Sequence, residues 1–125
     1  MALNPAMRAL YQDVFAYLQT LGPVTATWHK TQVSFGGEDV KTYFSFVWLP
    51  QLIKVKFPPD AIMLTIDLPR HLSAHPRIQS SVKLREGRWT HHLPITKKAD
   101  ITADVKSWLR ESYEFGKIGL RKSRQ

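Results

Sequence analysis

Apolar residues recur every three or four positions at the two ends of this chain and every two positions between them. Met7, Leu10, Val14, Tyr17, Leu18 and Leu21 form one stripe of a helix over residues 5–21. Asn4 and Pro5 suit its start, and Gly22-Pro23 its end. A second helix follows Asp100 or Thr102 as cap, with Ile101, Val105, Trp108, Leu109, Ser112 and Phe115 as its stripe and Gly116 as its stop.

Between them the period is two, as in strands with one buried face. Thr27 to Phe35 sends Val33 and Phe35 to one side, and Lys30, Gln32 and Ser34 to the other. Gly36-Gly37 predicts a hairpin into Tyr43 to Leu49, which is apolar or aromatic almost throughout and therefore central. Leu52 to Phe57 alternates again, then Ile62 to Leu68 sends Ile62, Leu64, Ile66 and Leu68 inward. Residues 69–79 read as a loop, with two prolines and two histidines. Ser80 to Arg85 is expected to turn Val82 and Leu84 inward and Lys83 and Arg85 outward. In the last strand Trp89, His91, Leu93 and Ile95 share one face, and Thr90 and His92 the other. The predicted architecture is α+β: an antiparallel five- or six-stranded sheet with the N- and C-terminal helices packed on one face. Residues 1–116 form a single domain and 117–125 a basic C-terminal tail that frays.

Composition narrows this picture only in places. At 125 residues, 43% of them apolar, the chain supports one core. It has no cysteine, which removes disulfides, thiolate metal sites and cysteine nucleophiles. No apolar run approaches the ~20 residues of a membrane span, and no signal segment opens the chain, so the expected location is cytoplasmic.

Charge changes the picture most. The net charge is +8, and Arg8, Lys30, Lys41, Lys54 and Lys56 are the only cations of the first 57 residues, so most lie later. Such a balance favours an anionic partner, nucleic acid above all. The side chains that the alternation turns away from the helices include Lys30, Gln32, Lys54, Lys56, Thr65, Asp67, Lys83, Arg85, Thr90 and His92. Tyr43 or Trp48 would add an aromatic surface. Cations beside aromatic rings suit single-stranded nucleic acid, because phosphates take the charge and bases stack. The same pattern also describes an ordinary solvated sheet face.

Other chemistry is weaker. His29, His71, His75, His91 and His92 show no metal-ligand spacing, and adjacent His91 and His92 point to opposite faces of a strand. No hydrolase, kinase or phosphate-loop signature occurs. No cofactor is expected and the expected role is non-enzymatic binding. Two alternatives stay open: a small-ligand or catalytic pocket around Lys30, Gln32, Arg85 and His92, and a homodimer or protein-interaction surface built on Phe44, Phe46 and Trp48.

Two stretches carry a family resemblance. Thr20 to Phe35, with its Leu21-Gly22-Pro23 turn and Lys30-Thr31-Gln32-Val33, and Arg88 to Phe115, with Trp89-Thr90-His91-His92-Leu93 and Trp108-Leu109-Arg110-Glu111-Ser112-Tyr113, resemble the bacterial domain-of-unknown-function family numbered 5655 (DUF family 5655). The resemblance runs over roughly residues 8 to 115 and implies a helix, an antiparallel sheet and a closing helix. It implies no activity. The matched polar positions are Lys30, Gln32, His91 and His92.

Overall fold

The computed structural model describes residues 5–30, 32–37, 43–48, 60–72, 75–76 and 78–123, with 117–123 as backbone only. Helix α1 (Pro5–Gln19) leads into strands β1 (Thr25–Trp28), β2 (Gln32–Gly36), β3 (Tyr43–Trp48), β4 (Ile62–Leu68), β5 (Ser80–Arg85) and β6 (Arg88–Ile95), and helix α2 (Ala103–Ser123) closes the chain. The strands form one antiparallel sheet in the order β1-β2-β3-β4-β6-β5. Both helices lie on one face of it, which gives the α+β layout. The expected strand over residues 52–57, with Lys54 and Lys56, lies outside the described residues.

The core sits between helices and sheet. Leu10, Val14 and Leu18 of α1 and Val105, Leu109 and Tyr113 of α2 meet Val33, Phe35, Val47, Leu64, Ile66, Leu93 and Ile95. Burying each aliphatic side chain stabilises by about 1.5–3 kcal/mol. β4 is central, and all seven of its residues are buried.

Four expectations need correction. The run from Thr27 to Phe35 is two strands rather than one: His29 N–H donates to Gln32 O at 2.7 Å and folds the chain into the β1–β2 hairpin. Its turn holds no glycine or Asn-Gly pair, so nothing in the pattern announces it. β5 faces the other way from its pattern. Val82 pairs with Thr90 and Lys83 with Trp89, so Val82 lies on the sheet face opposite the helices and Lys83 on the helix side. Val82 and Leu84 are 48% and 56% exposed. As an edge strand with an irregularity between Lys83 and Arg85, β5 has too little buried surface to set its own register.

Helix α2 also continues through Gly116 to Ser123. Gly116 has no positive φ, and a Cβ there would lie 3.2 Å from Phe44 Cβ. It serves close packing rather than termination. Finally, Phe44 faces the helices and is buried, because the irregularity opposite Phe35/Gly36 puts one extra residue into β3. Its ring meets Tyr113 edge-on at 5.6 Å. The apolar patch of Phe44, Phe46 and Trp48 therefore does not form.

Hydrogen bonds join the layers where the ladder is interrupted. The Ser112 hydroxyl, fully buried on α2, lies 2.6 Å from both Phe44 O and Asp67 O, and its single proton serves the two carbonyls in turn. Thr102 caps α2 by accepting from Val105 N–H at 3.2 Å. Asp100 instead takes Thr96 N–H and the Thr96 hydroxyl. His91 is wholly buried: Nε2 accepts from Leu72 N–H at 3.0 Å, so its proton is on Nδ1, facing Ile66 O at 3.3 Å. The imidazole thereby holds the start of the 69–79 loop against β4, and burial lowers its pKa.

Candidate functional site

The sheet face opposite the helices collects residues by register. Across β2, β3, β4 and β6 one row is Gln32, Trp48, Met63 and Pro94, and the next is Ser34, Phe46, Thr65 and His92. Asp67 and Thr90 follow. Gln32, Thr65, Asp67, Thr90 and His92 thus share a face, as their alternation predicts. The face is not the solvated surface that pattern suggests: Ser34 and Thr65 are 0% exposed and Asp67 1%. Small residues on β2 and β4 are flanked by larger ones, and every buried side-chain nitrogen and oxygen among the described residues has a partner.

The β2–β3 half is aromatic. Tyr43 and Phe46 rings lie 6.4 Å apart, and His29 meets Tyr43 edge-on at 5.7 Å. Tyr43, Phe46 and Trp48 are each partly buried, whereas Phe44, Ser45 and Val47 between them are buried.

The β4–β6 half is polar and holds two networks. In the first, Trp48 Nε1–H donates to Thr65 Oγ1 at 2.6 Å, and Thr65 Oγ1 stands 2.9 Å from His92 Nδ1. Burial lowers the His92 pKa, partly opposed by the charge of Asp67, so the imidazole is neutral around neutral pH. In the second, Arg88 donates to Asp67 Oδ2 from Nε at 3.1 Å and Nη2 at 2.6 Å, while the Thr90 hydroxyl donates to Oδ1 at 2.8 Å. Arg88 Nη2 also reaches Tyr43 O at 2.7 Å, and its guanidinium lies over the Phe115 ring. Neither Arg88 nor Trp48 follows from pattern as a member of a network, because Trp48 and Thr65 stand 17 residues apart in sequence and Arg88 and Asp67 21, on strands whose adjacency leaves no local signal.

The expected cations are dispersed. Lys30 is exposed at the β1–β2 turn, Arg85 is exposed at the end of β5, and neither is in an ion pair among the described residues. Lys83 lies on the other side of the sheet, paired with Glu86. Ser80 is the partner of His92, so Arg85 stands about 16 Å further along β5 at ~3.3 Å per residue. Gln32 is three strands from His92, about 14 Å at ~4.8 Å per strand. Lys30, Gln32, Arg85 and His92 therefore do not converge.

The remaining histidines hold packing positions. His71 lies tilted by 36° against Trp89 at 4.5 Å, and His75 meets Trp108 at 5.0 Å beside Asp104. No three His, Asp or Glu residues gather as a metal site among the described residues. A shallow cavity of about 370 Å³ lies between Pro76, Gln79, Pro94, Thr96 and Asp100, and Asp100 is already committed to Thr96.

One further contact concerns the two stretches most distinctive in sequence. Gly22 has φ +148°, and a Cβ there would run into the Tyr113 hydroxyl, which donates to Pro23 O at 3.3 Å. The Leu21-Gly22-Pro23 turn and the Trp108–Tyr113 segment thus pack on one another. A family model described as a domain of unknown function, DUF5655, matches residues 2–116. The chain belongs to the DUF5655 family. No curated protein and no solved structure matches it. The DUF5655 match ends at Gly116, the α2 residue that lies against Phe44. No described helix is long and apolar enough to cross a membrane.

Proposed function

We propose that this DUF5655 chain is a cytoplasmic, non-enzymatic binding domain for an anionic partner, single-stranded nucleic acid, on the sheet face opposite the helices. One observation carries the reading: the partly buried side chains of Tyr43, Phe46 and Trp48 lie on the same face as a line of polar groups. Rings held on a rigid sheet offer bases a stacking platform at little entropic cost. The net charge of +8 supplies attraction for phosphates, with Lys30 and Arg85 exposed at the two ends of the sheet.

Anisotropy of a labelled oligodeoxythymidine, titrated with protein over a range of salt, tests this. Binding is expected at low salt and falls steeply as salt rises. Trp48→Ala should weaken it by roughly 5- to 150-fold, the worth of one stacked base at about 1–3 kcal/mol. Lys30→Glu with Arg85→Glu should reduce the slope of log K against log salt by about 0.7 per lost phosphate contact. No binding at low salt, or full binding by Trp48→Ala, sinks the proposal.

A small-ligand site draws on one observation, the half-buried His92 with one ring nitrogen tied to Thr65 and the other in no hydrogen bond among the described residues. The wide spacing of Lys30, Gln32 and Arg85 speaks for an extended ligand instead.

A further inference from the structure

The Trp48–Thr65–His92 chain fixes where protons sit. An indole N–H can only donate, so Thr65 Oγ1 accepts from Trp48 Nε1. The hydroxyl proton must then go elsewhere, and Thr65 is fully buried. Among the described residues its only acceptor is His92 Nδ1, 2.9 Å away. His92 Nδ1 therefore accepts, and a neutral ring carries its proton on Nε2. Asp67 and Arg88, charged groups of the same face among the described residues, are bonded to each other rather than to this ring.

The consequence depends on where Trp48 stands. Its indole nitrogen and His92 Nδ1 meet at the same hydroxyl, so they lie within about 5.5 Å of one another, the sum of 2.6 and 2.9 Å. Neither residue is fully buried. A base stacked on Trp48 has its edge within reach of the imidazole.

We infer that His92 is the residue that reads the base on this face: its Nε2–H, held outward by the Thr65 hydroxyl, donates to a carbonyl or ring nitrogen of a base stacked on Trp48. Thr65 is then a positioning residue and Trp48 the platform. This rests on the nucleic-acid reading of the face. It differs from a simple electrostatic role, because a neutral N–H brings no net charge and acts through one directional hydrogen bond, which a shape mimic of the base lacks a good acceptor to receive.

Two measurements test it. Long-range proton–nitrogen NMR of the free protein at neutral pH reads the tautomer directly, without any ligand. A protonated Nε2 and bare Nδ1 at His92 are expected, and Thr65→Val should turn that into a mixture of tautomers. A protonated Nδ1 or a doubly protonated ring overturns the inference. The second measurement compares an oligomer of thymidine with one of difluorotoluene nucleosides, a shape mimic that stacks but accepts hydrogen bonds poorly.

The native chain should prefer thymidine by roughly fivefold, the worth of one hydrogen bond. His92→Phe should remove the preference while both oligomers still bind. His92→Asn, whose amide oxygen can replace Nδ1 at Thr65, is the second variant and should behave alike. A preference that survives in both variants overturns the base contact and leaves the nucleic-acid reading standing. Failure of both oligomers to bind the native chain overturns that reading and the contact with it.

Discussion

Single side chains decide much of this molecule, and Gly22 decides the most per atom. Its φ of +148° is closed to other residues without strain, and any Cβ meets the Tyr113 hydroxyl. Gly22→Ala is expected to cost about 2–4 kcal/mol in urea unfolding, backbone strain adding to the clash. Tyr113→Phe in the same chain should return part of that loss, giving a coupling above the ~0.5 kcal/mol of independent sites. Equal losses with and without the hydroxyl would show that strain alone acts. The adjacent histidines of β6, one buried and one partly buried, give a different signature. His91 and His92 bind protons more weakly when folded than when unfolded, in both cases chiefly through burial. Their contribution is therefore complete above the ordinary histidine value of about 6.5 and is lost as pH falls below it, since the unfolded chain then takes up more protons. The urea midpoint should drop between mildly alkaline and mildly acidic buffer. His91→Gln, whose carbonyl can still accept from Leu72 N–H, should flatten that slope; a midpoint rising toward acid pH contradicts the assignment.

Among elements, β5 and β6 form an instructive pair, because similar patterns end in different environments. Leu93 of β6 is fully buried between β4 and the helices, whereas Leu84 of β5 is 56% exposed. Leu93→Ala should lose about 2–5 kcal/mol, while Leu84→Lys should stay within about 0.5 kcal/mol by thermal or urea unfolding. A large loss at Leu84 would mean that β5 packs against something beyond the described contacts. The same contrast explains what could be read in advance. Helices and the β4 and β6 strands were legible because their apolar periods are backed by full burial: Leu10, Val14 and Leu18, or Ile62, Leu64, Ile66 and Leu68. β5 misleads because an edge strand obeys its partner's register and not its own pattern. The β1–β2 turn was hidden because His29-Lys30-Thr31 carries none of the usual turn residues. At the site, alternation correctly grouped Gln32, Thr65, Asp67, Thr90 and His92, yet it said nothing of burial. A buried polar face and a wet one share the same alternation; only Trp48 and Arg88, arriving from neighbouring strands, separate the two.

At the scale of the whole molecule the sheet has an aromatic half and a hydrogen-bonded half on one side, and all of its described helix packing on the other. The two halves meet at the Thr65 hydroxyl, which makes β4 the common support of core and candidate site. Sequence reasoning reached the layered layout but not this division, because it depends on which strands are neighbours, and β6 stands between β4 and β5 out of chain order. That order also has a consequence during synthesis. β4 ends at Leu68, its second neighbour β6 begins only at Arg88, and α2, one of the two helices that pack on β4, begins at Ala103. Until then the growing chain carries an apolar strand with one bare edge and a face that only α1 can cover, the kind of segment that recruits like segments from other chains. A fragment ending at residue 102 should aggregate at concentrations where the full chain remains monodisperse by light scattering. A monodisperse, folded fragment would show that β4 needs no such cover. Cells making this protein thus face a brief interval, set by strand order, in which chaperone access matters more than final stability.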